Sequence, residues 1–224
     1  MAVAVFFAAL LAPFLGRRRG FWKVAPGYVR LMGLGFGIER RLEGWDTLPE
    51  DIRHGAPAIF FANHTSLLDP PLIVSTLPCR PVFVAKKELR WVPVLGWAIW
   101  LAGFILIDRR NQKKAYASLA DAAARIRAGQ SVAIFPEGTR SKDGALLPFK
   151  RGSFTLAMEA GVPLVPLAIH GGHGILPVGA WRTRGGPYTL TVGEPMDPRA
   201  FKSPESLRVA AEACLRVMLA DQPR

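Results

Sequence analysis

Residues 58–71 read AIFFANHTSLLDPP. Ala58 to Ala62 is a short, continuously apolar run, the pattern of a strand buried on both faces. Asn63 to Leu68 is a polar turn. Asp69 followed by Pro70 reads as the N-cap and first residue of a helix. A buried strand that leads through a polar turn into a helix is the repeating unit of an α/β sheet, and the chain repeats it.

Further strands are predicted at Pro81 to Ala85, Phe104 to Ile107, Ser131 to Phe135, Leu164 to Ile169 and Tyr188 to Val192. Helical periodicity fills Lys113 to Arg127, which stops at Gly129, then Phe154 to Glu159, and Pro204 to Leu219 behind Ser203 as N-cap. The alternation predicts an α/β fold: a layered, mostly parallel sheet flanked by helices. Trp91 to Ile107 holds 17 uncharged residues. Gly96 and Gly103 interrupt it and its end is β-branched, so it reads as a buried helix and a strand rather than a membrane span.

The N-terminus is different in kind. Met1 to Leu15 is almost wholly apolar and is closed by Arg17, Arg18 and Arg19. As a helix it reaches about 22 Å, short of the roughly 30 Å of a bilayer core. Its charge follows the apolar stretch, whereas a signal peptide carries charge before it. Val24 to Ile38 is a second apolar stretch, broken by Pro26 and several glycines. Together they predict two short helices dipped into one leaflet, with the arginines and Lys23 on lipid phosphates. The alternative is packing against the domain. The expected division is a membrane-associated helical segment, 1–40, and an α/β domain, 41–224.

Composition agrees. Half of the 224 residues are apolar, and Lys plus Arg number 29 against 17 Asp plus Glu, giving a net charge of +12. That balance predicts an anionic partner, and a mean hydropathy of +0.20 favours lipid over nucleic acid. Nucleic-acid binding would set the cations in a stripe with interleaved aromatics, but here they gather beside apolar segments. Two cysteines make neither a disulfide framework nor a zinc cluster.

Two loops carry chemistry. In the first, His64 and Asp69 are five residues apart, which on a helix would turn them about 140° away from each other. They meet only if the residues between them form a turn. Asp69 would then fix the tautomer of His64 and leave its other nitrogen as a general base. Taken alone, the spacing reads by default as a loop histidine satisfied by a backbone carbonyl. The second loop, FPEGTRS (135–141), offers a glycine for close backbone approach, two hydroxyls and the guanidinium fork of Arg140, a set suited to phosphate. Its other reading is a solvated surface loop. GFILIDRR (103–110) ends in another cationic loop. VPLVPL (162–167) has prolines that predict an edge strand or a wall against something apolar. HGGH (170–173) has metal-like spacing without a nearby carboxylate or thiol, and reads as a glycine-rich loop with no metal.

In order along one chain, Asn63-His64 with Asp69, GFILIDRR, FPEGTRS and VPLVPL resemble the four signature blocks of the glycerophospholipid acyltransferase family, most closely its bacterial lysophosphatidate acyltransferases. AKKEL (85–89) is similar to a further block of the family. The resemblance implies that His64 deprotonates the free hydroxyl of a lysophospholipid while Asp69 orients the ring, and that the oxygen attacks an acyl thioester. It implies that Glu137, Gly138, Thr139 and Arg140 hold the acceptor's glycerol phosphate, with Lys86 and Arg109 as further phosphate contacts. No cofactor or metal is expected; acyl-CoA or acyl carrier protein is the donor, and the place of action is the cytoplasmic face of the inner membrane. The alternatives are the same chemistry on a lyso-ornithine lipid or glycerol 3-phosphate, a non-catalytic lipid-binding module, or a hydrolase using the same pair. No nucleophile elbow is present, so direct attack is expected.

Overall fold

The protein is described from a computed structural model that covers residues 16–108 and 112–221. The run Met1 to Leu15 and the candidate Arg109 lie outside the described residues. Among the described residues, one seven-stranded sheet is formed by β1 (Ile38–Glu43), β2 (Ile59–Ala62), β3 (Val82–Lys86), β4 (Ile105–Ile107), β5 (Val132–Ile134), β6 (Leu164–His170) and β7 (Gly186–Val192). The spatial order is β1-β7-β6-β2-β5-β3-β4. Every neighbouring pair is parallel except β6 with β7. The expected α/β architecture is therefore present.

The helices are α1 (Arg17–Gly35), α2 (Glu50–Arg53), α3 (Asp69–Thr76), α4 (Leu95–Ala102), α5 (Gln112–Arg127), α6 (Gly152–Ala160), α7 (Gly172–Ile175) and α8 (Pro204–Ala220). Right-handed crossovers put α3 and α4 on one face of the sheet, and α5 and α6, where the connections reverse direction, on the other. The packing agrees: α1 lies on α3 and α4, whereas α6 packs with α5 and α8. The central strand β2 is wholly buried. Phe60 stacks on Trp45 at 6.3 Å, while Phe61 meets Phe149 and Phe154 edge-on at 6.2 and 6.5 Å. Both faces of β2 are covered, which is why its sequence does not alternate.

Four expectations change. Among the described residues, the N-terminal region holds a continuous helix, α1, that runs through Pro26 without a break. A proline inside a helix costs about 3 kcal/mol, but Phe21, Trp22 and Ala25 are buried in the core, and packing overrides the local preference. Directly after it, β1 runs across the expected boundary at residue 40. Its sequence, IERRLE, hides it: it is an edge strand, and charges are what keep edges from pairing.

The proline-bearing β6 is not an edge. It lies between β7 and β2, with Leu164 to Ile169 buried. Its ladder tolerates Pro166 because that residue faces the exit of β7, where it only accepts: Gly193 donates to its carbonyl at 3.0 Å, between the isolated Leu164–Met196 bridge and the start of β7 pairing. Finally, α4 is buried on one face only, leaving Trp97 63% exposed. Among the described residues, no helix is long and apolar enough to cross a membrane.

Candidate active site

The parallel strands β2, β5, β3 and β4 all end at one edge of the sheet, where ligands of such folds bind. The loop after β2 carries His64, the loop after β5 carries Glu137 to Arg140, and β3 ends in Lys86. Chain direction alone thus collects these candidates along one rim. Lys86 is exposed there, two strands from β2, while its neighbour Lys87 pairs with Asp108 at 2.6 Å.

His64 and Asp69 meet. Nδ1 of His64 lies 2.9 Å from Oδ2 of Asp69. The same Oδ2 accepts the backbone N–H groups of Thr65 and Ser66, each at 2.8 Å. Three donors on one oxygen explain how a fully buried carboxylate stays in place. Asp69 is the first residue of α3 and not its cap; Leu68 holds the cap position, and the Asp69 carboxylate turns back into the loop. With a carboxylate on Nδ1, the proton of a neutral ring sits there, and Nε2 carries the lone pair. The His64 side chain is 16% exposed, so the ring is mostly enclosed yet reachable.

The ring is also held from its face. It stacks on Phe135 with centroids 3.9 Å apart, and Phe135 stacks on Phe83 at 5.7 Å. On the remaining sides, Asn63 donates to the carbonyl of Ile169 at 3.0 Å and accepts its N–H at 2.8 Å. Ser66 donates its hydroxyl to Leu176 at 2.9 Å. Thr65 and Ser66 are both buried loop residues.

The two motif loops are stitched together. Glu137 Oε1 accepts the backbone N–H of His64 at 2.7 Å, and Oε2 accepts that of Leu147 at 3.1 Å. Ser141 donates its N–H to the carbonyl of His64 at 2.8 Å. Burial pushes the Glu137 carboxyl up to about 7, against the two N–H bonds that favour its charge and with the nearby Asp69 adding to the rise. Glu137 therefore spans protein to protein, and its carboxylate oxygens face backbone rather than open space. Gly138 takes φ +70°, which lets the chain turn there. Thr139 is exposed and Arg140 half-buried, and Arg140 pairs with no carboxylate among the described residues.

Sequence reasoning missed two supports of the dyad. One is Phe135, which ends a predicted strand and opens FPEGTRS but has no role of its own in that reading. The other is Gly172 in HGGH: a Cβ there would lie 2.6 Å from Asp69 Oδ1 and 2.8 Å from Thr65 Oγ1. The signal was the glycine pair directly after a strand, but its partner is about a hundred residues earlier. No group of three or more metal-ligating side chains occurs among the described residues.

The family model described as Acyltransferase matches residues 45–170, which contain both loops. The 1-acyl-sn-glycerol-3-phosphate acyltransferase of Haemophilus influenzae is 33% identical over 197 residues, covering 87% of this chain and 78% of that protein. The enzyme of that name from Escherichia coli is 37% identical over 148 residues, 64% of this chain and 60% of its own length. The crystal structure of the 1-acyl-sn-glycerophosphate acyltransferase PlsC from Thermotoga maritima superposes with a TM-score of 0.79 at 28% identity, covering 98% of this chain and 93% of that one. A shared fold, a matched domain spanning the dyad and extensive sequence identity lead to one conclusion: the chain belongs to the acyltransferase family.

Proposed function

We propose that this enzyme moves a fatty acyl group from an acyl thioester to the free hydroxyl of 1-acyl-sn-glycerol 3-phosphate, making phosphatidate. The observation that carries the reading is the buried Asp69 carboxylate 2.9 Å from His64 Nδ1, on a loop tied to the FPEGTRS loop. Relatives named for this reaction, over most of the chain in the Haemophilus case, support the substrate class.

Nε2 of His64 takes the proton of the acceptor hydroxyl as its oxygen attacks the thioester carbonyl. Asp69 stabilises the imidazolium through its bond to Nδ1. The tetrahedral intermediate then collapses, the C–S bond breaks, and the imidazolium returns the proton to the leaving thiolate. The products are an ester and a thiol, with nothing oxidised and no covalent acyl-enzyme.

Arg140, unpaired with any carboxylate among the described residues, provides a planar fork for the acceptor phosphate, and Gly138 and Thr139 give it close approach. Lys86 serves as an outer cation, and Arg109, outside the described residues, stays a further phosphate contact by the family resemblance alone. Glu137 acts through the backbone it holds. Acyl-CoA and acyl carrier protein are both fitting donors, since each is acidic and the enzyme carries +12. The place of work is the surface of the inner membrane on its cytoplasmic side, with anionic lipids meeting the basic N-terminal region.

The test is transfer by purified protein to lysophosphatidate, glycerol 3-phosphate and a lyso-ornithine lipid, each with both donors, and His64→Ala as blank. Phosphatidate from wild type alone is expected. Transfer only to another acceptor overturns the substrate, and release of free fatty acid with none transferred makes the enzyme a hydrolase.

A further inference from the structure

The segment between β3 and α4 exposes three consecutive apolar residues. Trp91, Val92 and Pro93 form its tip and all are exposed, Trp91 by 73% and Val92 by 43%. Val94, next in line, has φ +64° and is the one non-glycine residue with positive φ among those described. A β-branched side chain in that region costs on the order of 1–3 kcal/mol. The loop is cinched below the tip: Val92 donates to Leu89, Gly96 donates to Val92 at 2.7 Å, and Gly96 packs so closely on the Arg90 carbonyl that no side chain fits there. Backbone strain and close packing thus project an apolar tip into solvent, the opposite of what burial alone would select.

Its surroundings say what covers it. The tip follows the C-terminal end of β3, so it stands at the same rim of the sheet as His64. Leu67, on the His64 loop itself, is 54% exposed, and Trp97 on the first turn of α4 is 63% exposed. Cations accompany the apolar groups: the Arg90 guanidinium sits 4.4 Å over the Trp91 ring, and Lys86 is exposed at the strand end. Exposed tryptophan with adjacent arginine and lysine is the chemistry of a lipid headgroup boundary, where the indole takes the interface and the cation takes phosphate.

We infer that the Trp91–Val92–Pro93 tip and Trp97 form a membrane contact separate from the N-terminal region, which seats the rim bearing His64 on an anionic leaflet. This rests on the reading of the site as one acting on a membrane lipid. An acceptor anchored in a leaflet reaches an enclosed histidine only if the rim meets the leaflet. A highly acidic protein surface would match the cations but would leave two indoles and a valine poorly covered.

The experiment uses the full chain with vesicles of phosphatidylcholine and phosphatidylglycerol, with acyl chains brominated near the headgroup. Bromine quenches only tryptophans inside the lipid. Quenching in wild type that falls by more than about half in Trp91→Phe/Trp97→Phe is expected; equal quenching in both overturns the contact. In a second measurement, Trp91→Ala/Trp97→Ala lowers the rate on vesicle-embedded lysophosphatidate by about tenfold or more, given the apolar area withdrawn from lipid. Its rate on a short-chain, micelle-free lysophosphatidate stays at the wild-type value. Equal losses on both acceptors overturn the inference, as does shielding of Trp91 by acyl carrier protein without vesicles. If no acceptor is acylated at all, the proposed reaction fails, yet the quenching still decides the contact.

Discussion

Oε1 of Glu137 accepts the backbone N–H of His64 at 2.7 Å, so the carboxylate of one motif fixes the main chain of the other. Burial pushes that carboxyl up to about 7, from an unfolded value near 4.5. Between those values the folded state binds more protons than the unfolded one, so ionising Glu137 lowers stability as pH rises from about 4.5 to about 7, with no further change above. Thermal unfolding followed across this window should show wild type losing roughly 3 kcal/mol relative to Glu137→Gln, whose side chain does not titrate. A parallel pH dependence in the two proteins would mean that folding leaves the Glu137 carboxyl at its ordinary value.

The hydrogen bond to Asp69 makes a different prediction for kcat. In Asp69→Asn the amide keeps the volume but no longer stabilises the imidazolium or secures the Nδ1–H tautomer. The rate is expected to fall by about 10²–10⁴-fold, with the KM for lysophosphatidate little changed. His64→Ala should remove transfer while far-UV circular dichroism stays as in wild type. A His64→Ala protein that keeps full activity would show that another group takes the proton.

Much of this site was legible in the sequence because its chemistry is local. The strand that ends at Ala62 and the strand before FPEGTRS follow from apolar runs, whereas the turn that folds Asp69 back on His64 is one of two readings of its residues, chosen by the family resemblance. The illegible parts depend on distant partners. IERRLE gives no strand signal, since β1 forms only by pairing with β7, some 150 residues later. Pro166 predicts an edge unless the register shows that its missing N–H faces the exit of β7. Glu137 reads as a ligand-facing carboxylate, because nothing in FPEGTRS shows that its oxygens meet the backbone at His64 and Leu147.

Gly172 should be intolerant of the smallest substitution. A Cβ would sit 2.6 Å from Asp69 Oδ1 and 2.8 Å from Thr65 Oγ1, and both residues are buried. Asp69 cannot withdraw without moving the dyad, because it is the partner of His64. Gly172→Ala is expected to cost about 1–3 kcal/mol in unfolding free energy and to lower kcat more than it raises any KM. Gly174→Ala is the control, since a Cβ there meets nothing within 4 Å. Equal activity in the two variants would remove Gly172 from the support of the dyad.

Arg140 makes the prediction that separates acceptor binding from catalysis. It is half-buried on the loop that Glu137 and Ser141 anchor to His64, and no carboxylate among the described residues pairs with it. A hydrogen bond to a charged group is worth about 1.5–3 kcal/mol, so Arg140→Ala should raise the KM for lysophosphatidate by roughly 10- to 100-fold. The KM for the thioester should stay within about twofold, because the donor does not use the fork in this reading. Arg140→Lys keeps the charge but loses the two-point geometry, and should recover only part of the affinity. Competition by glycerol 3-phosphate sharpens the comparison: it should inhibit wild type and lose potency in Arg140→Ala by the same factor as the acceptor. If the loss falls on the donor instead, Arg140 belongs to the thioester's phosphates, and the acceptor phosphate must be sought at Lys86.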